Sequence, residues 1–358
     1  MTAHQVSGGD IYIKKFIELG KAKIDVALSG DAITILDQKK ANQIYIIDNK
    51  VANSELGIVW LYLVRAIKSI KFYRAQRLQC DSVISASPFI CDVLPACFVK
   101  SNSRTVIFFH LIPKRQSSNL STRIRFFLAR LEQKISLLFI GRYFDVILAG
   151  NEELKQQLKA KYPDKDIYIA HAGIDTSKID LVRVGKKDPN LAVFVGRLTV
   201  QKGILDLVDI AEEIQKHHAD FKLVIIGDGP DKDQLISKIK QRGLKSIELK
   251  GFVPEAEKYK ILKTANFFLF PSYEEGWGIA LAEALYSGCL CLCYKLEHYK
   301  GIFSDYPVYV SLGDKHQMAT KILTNYNSAP EKGQVKYVSK YSDDLIISDL
   351  MREMGQKT

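Results

Sequence analysis

Residues 265–285 read ANFFLFPSYEEGWGIALAEAL. The first six are apolar and closed by Pro271, the pattern of a strand buried on both faces of a parallel sheet. Residues 278–285 read as a short helix that is apolar nearly all round and therefore also buried. The loop between them carries Glu274 and Glu275 at the carboxyl end of the strand, where open α/β sheets bind their ligands. One acid, Glu283, falls inside the apolar helix. An unpartnered buried carboxylate costs several kcal/mol, on the order of the whole stability margin of a small domain, so Glu283 must meet donors there. Ligand hydroxyls would serve; a helix whose Glu283 pairs with a nearby lysine is the alternative.

Strand and helix signals alternate outward from this stretch. Residues 191–195, 222–226, 246–250 and 290–294 read as further strands of the same half, and the helix after Lys202 has Ile204, Leu207, Val208, Ala211 and Ile214 at core spacing. The first half gives strands at 24–28, 44–47, 82–85, 105–110, 145–149 and 167–170, with helical patterns between them. A chain of 358 residues is too long for one ordinary core and suits two domains. The polar stretch RVGKKDPN, 183–190, separates the halves, which gives domains at 1–185 and 186–334. The tail, 335–358, reads as one more helix with Tyr341 and Ser342 near its start. The fold expected is α/β, two doubly wound Rossmann-like domains.

Two motifs in the second half suit phosphate. VGRLTVQKG, 195–203, follows a strand and leads into a helix, where backbone N–H groups and the helix dipole favour anions. Gly196 lets the chain turn, and Arg197 and Lys202 add two full charges, enough to hold a diphosphate. IIGDGP, 225–230, supplies Gly227 and Gly229 of a dinucleotide fingerprint, but Lys232 stands where the third glycine belongs, so a nicotinamide cofactor is a weak reading. The DKD triplets at 164–166 and 231–233 read as surface acids.

Charge is placed unevenly. Of the net +11, the segment 59–145 holds +10, with fourteen Lys and Arg against four acids. Several of these cations sit among large apolar residues, as in RIRFFLARLEQKISLLF, which invites an anionic membrane surface. Charge alone supports nucleic acid, and no nucleic-acid partner is expected. Cys289, Cys291 and Cys293 alternate along one strand and read as small buried residues, since a metal needs more ligands at looser spacing. The start, MTAHQVSGGD, has neither the basic nor the apolar region of a secretion signal, and no run reaches the eighteen or so apolar residues of a spanning helix. The expected location is the cytoplasm, with peripheral attachment to the inner face of a membrane.

Together these motifs resemble retaining glycosyltransferases of family 4, which have the GT-B fold. In that family seven residues separate the two glutamates, which selects Glu275 with Glu283 and excludes Glu274. The resemblance implies a nucleotide-diphosphate sugar as co-substrate and a glycan or lipid-linked acceptor, with no cofactor and no metal. Glu283 would bind the ribose hydroxyls, and Glu275, with Gly276, Trp277 and Gly278, the donor sugar. Arg197 and Lys202 would stabilise the leaving diphosphate beside Gly196, and Phe252 and Val253 would approach the base. In the first domain, Gly8 and Gly9 resemble the glycine-rich turn after the family's first strand, here with that strand shortened, and His110 would touch the transferred sugar. The C-terminal helix would cross back to the first domain. Two alternatives stay open: a GT-B sugar-nucleotide epimerase, and a nucleotide-sugar-binding protein that has lost turnover.

Overall fold

The computed structural model describes residues 8–19, 23–29, 37–48, 55–108 and 120–355. Contacts divide the chain into two compact units, one of residues 1–172 with 344–358 and one of residues 173–343.

The first unit runs α1 (Gly8–Leu19), β1 (Asp25–Ser29), β2 (Gln43–Asp48), α2 (Glu55–Gln76), β3 (Gln79–Ser85), α3 (Ile90–Ala96), β4 (Lys100–Phe108), α4 (Leu120–Tyr143), β5 (Val146–Ala149), α5 (Glu152–Lys161) and β6 (Asp166–Ile169). Strands β3-β4-β5-β6 form a parallel sheet in that order, and β1 pairs with β2 in a second parallel sheet. Successive residues of a strand point to opposite faces, and the core follows that rule. Val106 and Phe108 of β4, with Ile147 and Ala149 of β5, pack against α3, α4 and α5 through Val93, Ile140 and Leu154. Ile107 and Leu148, one residue out of step, pack on the other face with Tyr12 and Phe16 of α1. Helices therefore cover both sides of the sheet.

The second unit runs α6 (Thr176–Leu181), β7 (Asp188–Val195), α7 (Ile204–Gln215), β8 (Lys222–Ile226), α8 (Lys232–Arg242), β9 (Ile247–Gly251), α9 (Glu255–Thr264), β10 (Ala265–Phe270), α10 (Ile279–Tyr286), β11 (Leu290–Tyr294), α11 (Tyr299–Phe303), β12 (Val308–Val310), α12 (Lys315–Thr324) and α13 (Gln334–Val338). Its six strands are parallel in the order β12-β11-β10-β7-β8-β9. The chain winds one way from β7 to β9, then returns to the other side of β7 with β10, so the winding reverses between β7 and β10. All six residues of β10 are buried, as a central strand covered on both faces requires.

Three expectations are corrected. The unit boundary falls at 172/173 because the polar stretch before β7 is tied to the second unit: Lys187 Nζ donates to the carbonyls of Lys263, Ala265 and Ser287, and Lys263 Nζ to that of Val182. The tail is two helices, α13 and α14 (Asp343–Gly355), broken at an extended Ser342 that bridges Ile174. Ile347 and Leu350 of α14 join Tyr12 and Phe16 in the core of the first unit. Gly8 and Gly9 open α1 instead of turning after a strand; the strand proposed before them lies outside the described residues.

Candidate active site

The reversal between β7 and β10 places two loops side by side at the carboxyl ends of paired strands. One, after β7, carries Gly196, Arg197 and Lys202; the other, after β10, carries Glu274 to Gly278. They are joined closely. Tyr273 N–H donates to the Gln201 carbonyl at 2.8 Å, Lys202 Nζ donates to Glu275 Oε1, and its distance to the Glu274 carbonyl is 3.3 Å. Gly203 makes the approach possible: with φ at +68°, it lies where a Cβ would stand 1.9 Å from the Pro271 carbonyl oxygen. No other residue fits there without moving the loop.

Each loop opens a helix. Gly203 caps α7 and Gly278, at φ +96°, caps α10, and neither helix start is capped by a side chain. Two helix N-termini thus begin from these loops, and each offers uncapped backbone N–H groups of the kind that suit an anion. Arg197 is exposed on the same loop.

A third loop, after β8, packs against the first. Leu198 N–H donates to the Asp228 carbonyl and Asp231 N–H to that of Leu198, while a Cβ on Gly227 would stand 1.9 Å from the Gly196 carbonyl oxygen. The GDGP motif thus has a packing role, shaping the turn under Arg197. Asp231, expected as a surface acid, accepts the Val200 N–H at 2.8 Å and so fixes the turn that ends in Lys202.

Glu283 is buried, at 5% exposure. Its Oε1 accepts from Lys258 Nζ at 2.7 Å and from Tyr259 Oη at 3.2 Å, both on α9. The lysine alternative is therefore present in the structure, and the donors that burial demanded come from the chain itself. Burial, and next the Glu283 carboxylate, hold the Tyr259 hydroxyl well above its usual range, so it acts as a donor. Sequence reading missed Lys258 and Tyr259. The available signal was the pairing of KY in the helix preceding β10 with an acid that had to be satisfied.

Phe252 is 80% exposed after β9 and Val253 beside it is half-buried. Gly276 is exposed. Trp277 is buried and packed edge-on to Phe303 and Tyr341, with ring centroids 5.5 and 5.1 Å away, and anchors the loop. Gly9 lies in α1 of the other unit. His110 lies outside the described residues. Behind the site, Asp206 Oδ2 accepts from Tyr273 and Tyr294 at 2.6 and 2.8 Å, and burial followed by that bond pushes Tyr273 up to about 12.

The fold is that of GT-B glycosyltransferases, two Rossmann-like domains in one chain. It is similar to the solved structure of Anabaena Alr3699/HepE in complex with UDP and glucose, with a TM-score of 0.74, 14% identity, and coverage of 99% of this chain and 97% of that one. Residues 177–336 match the family model described as glycosyl transferases group 1. Those residues include both loops and Glu283. Among curated proteins the chain is similar to TuaC of Bacillus subtilis, named for teichuronic acid biosynthesis, at 28% identity over 191 residues, 51% of this chain and 46% of that protein. It is also similar to O-antigen chain mannosyltransferase C of Escherichia coli, at 24% identity over 266 residues, 72% of this chain and 67% of that protein. The chain spans less than half the length of the first curated relatives it matches.

Proposed function

We propose that the chain is a glycosyltransferase that moves a sugar from a nucleotide-diphosphate sugar to a glycan or lipid-linked acceptor, with retention of anomeric configuration and without a metal ion. The observation that carries this reading is the joining of Lys202 and Glu275 beside two helix N-termini at the winding reversal.

The diphosphate would lie over the starts of α7 and α10, neutralised by Arg197 and Lys202. Lys202 would exchange Glu275 for a phosphate oxygen, which frees the carboxylate for the hydroxyls of the donor sugar. Lys258 and Tyr259 both bind Oε1 of Glu283, so Oε2 is the oxygen assigned to the ribose hydroxyls. Phe252 is the exposed aromatic assigned to the base. As the bond from the anomeric carbon to the phosphate oxygen breaks, the acceptor hydroxyl attacks on the same face and its proton passes to the departing phosphate. Two fixed cations at the leaving group, each worth about 3 kcal/mol of barrier, take the place of a metal. UDP is the nucleotide to try first, since the Anabaena neighbour was solved with it.

Calorimetry with UDP, GDP and ADP tests the pocket, and labelled nucleotide sugars with separated glycan and lipid acceptors test transfer. We expect one diphosphate to bind, Lys202→Ala to weaken it by about tenfold or more, the loss of roughly one charge-assisted hydrogen bond, and turnover to survive chelation. A chain that binds none of the three overturns the reading.

A further inference from the structure

Helix α4 is amphipathic in an unusual sense. Its inward face buries Gln133, Ser136, Leu137 and Ile140 in the first unit. Its outward face shows large apolar side chains: Phe127 is 66% exposed, Leu131 46%, Ile135 38% and Leu138 74%. Their spacings of three and four residues put all four on one stripe, about 17 Å long at 1.5 Å per residue. A solvated helix face ordinarily carries polar groups, and several large apolar side chains in a row on one face mark an interaction surface.

The charges on the same helix say what the surface meets. Lys134 stands within the stripe and Arg142 at its end, both exposed, with Arg130 at its edge. The helix has one acid, Glu132, and it is turned inward, with its Oε1 accepting the Ile90 N–H at 2.9 Å. The outward face is therefore apolar and cationic together. Nucleic acid would account for the cations but not for Phe127 and Leu138. Among the described residues no helix is long and apolar enough to cross a membrane, so α4 would lie on a bilayer and not through it.

We infer that the outward face of α4 is a docking surface for an anionic lipid bilayer. Phe127, Leu131, Ile135 and Leu138 enter the boundary between headgroups and acyl chains, and Lys134 and Arg142 meet the headgroup phosphates. The inference does not depend on the nucleotide-sugar reading.

Flotation of the full chain with phosphatidylcholine vesicles, with and without phosphatidylglycerol, tests it. The wild-type chain should float with the anionic vesicles and stay behind with the neutral ones. The double variant Phe127→Ser with Leu138→Ser should lose anionic vesicle binding by about tenfold or more, because two large apolar groups no longer enter the bilayer. Its melting temperature should stay unchanged, because both side chains are exposed. Lys134→Glu with Arg142→Glu should also weaken binding, and the remainder should respond less to salt. Equal recovery of the wild-type chain in the soluble fraction with both vesicles overturns the inference, as does full binding by the serine variant. Self-association of the wild-type chain that the serine variant abolishes, without vesicle binding, would assign the face to a second copy and also overturn it.

Discussion

At the scale of single residues, the two glutamates that dominate the sequence have different settings. Glu275 is half-buried in a loop and paired with Lys202 from the neighbouring loop; Glu283 is buried inside a helix and held by α9. The Lys258–Glu283 pair is shielded, with side-chain exposures of 16% and 7%. Removing one partner leaves a buried charge, which costs about 3 kcal/mol or more. Lys258→Met should therefore lower unfolding free energy in urea by about that amount, and Lys258→Met with Glu283→Gln should recover part of it. A loss in the double variant equal to the sum of those in Lys258→Met and Glu283→Gln alone would show that the pair is not coupled. The sequence stated that Glu283 needs donors; it could not say that they stand 24 and 25 residues earlier, because that contact exists only once α9 and α10 lie side by side.

At the scale of elements, α7 does two jobs. Its N-terminus faces the site, and its outer side is clamped to α8 and α12 through Asp209, which pairs with Lys238, Lys315 and Arg242. Burial alone would raise the Asp209 carboxyl, but hydrogen bonds from Lys238 and Lys315 hold it below its usual range. A carboxyl depressed in the folded state contributes stability that is present above its unfolded value of about 3.9 and lost as pH falls through the folded value. Asp209→Asn should lower the melting temperature at neutral pH, and the gap to wild type should close as the pH falls below about 4. A gap that is the same at every pH would mean that packing, not charge, is the clamp. Sequence reading found α7 from its core spacing, but not this clamp, whose cations come from helices 29 to 106 residues away.

At the scale of the whole molecule, the chain leaves the first unit at residue 172, builds the second, and returns at 344. The Ile174 N–H donates to the Tyr341 carbonyl and the Asp343 N–H to that of Ile174, so entry and exit lie together. The first unit is incomplete until the last helix is made, since Ile347 and Leu350 share a core with Tyr12 and Phe16. Removing residues 344–358 should lower the melting temperature of the first unit and leave that of the second unchanged, which scanning calorimetry can separate. A single transition lowered as a whole would show that the two units unfold together.

The sequence by itself determined the strands of both units to within a few residues, the helix of Glu283, and the order of the loops that carry charge, because apolar runs and turn residues act over short distances. It missed β12, which has only three residues, Val308–Val310. Only the tertiary structure decided where the units divide, that Trp277 anchors a loop from inside, and that Lys202 meets Glu275 and Lys258 meets Glu283. Each of those outcomes depends on residues far apart in the chain coming together around a closed core, and local patterning carries no record of such pairs.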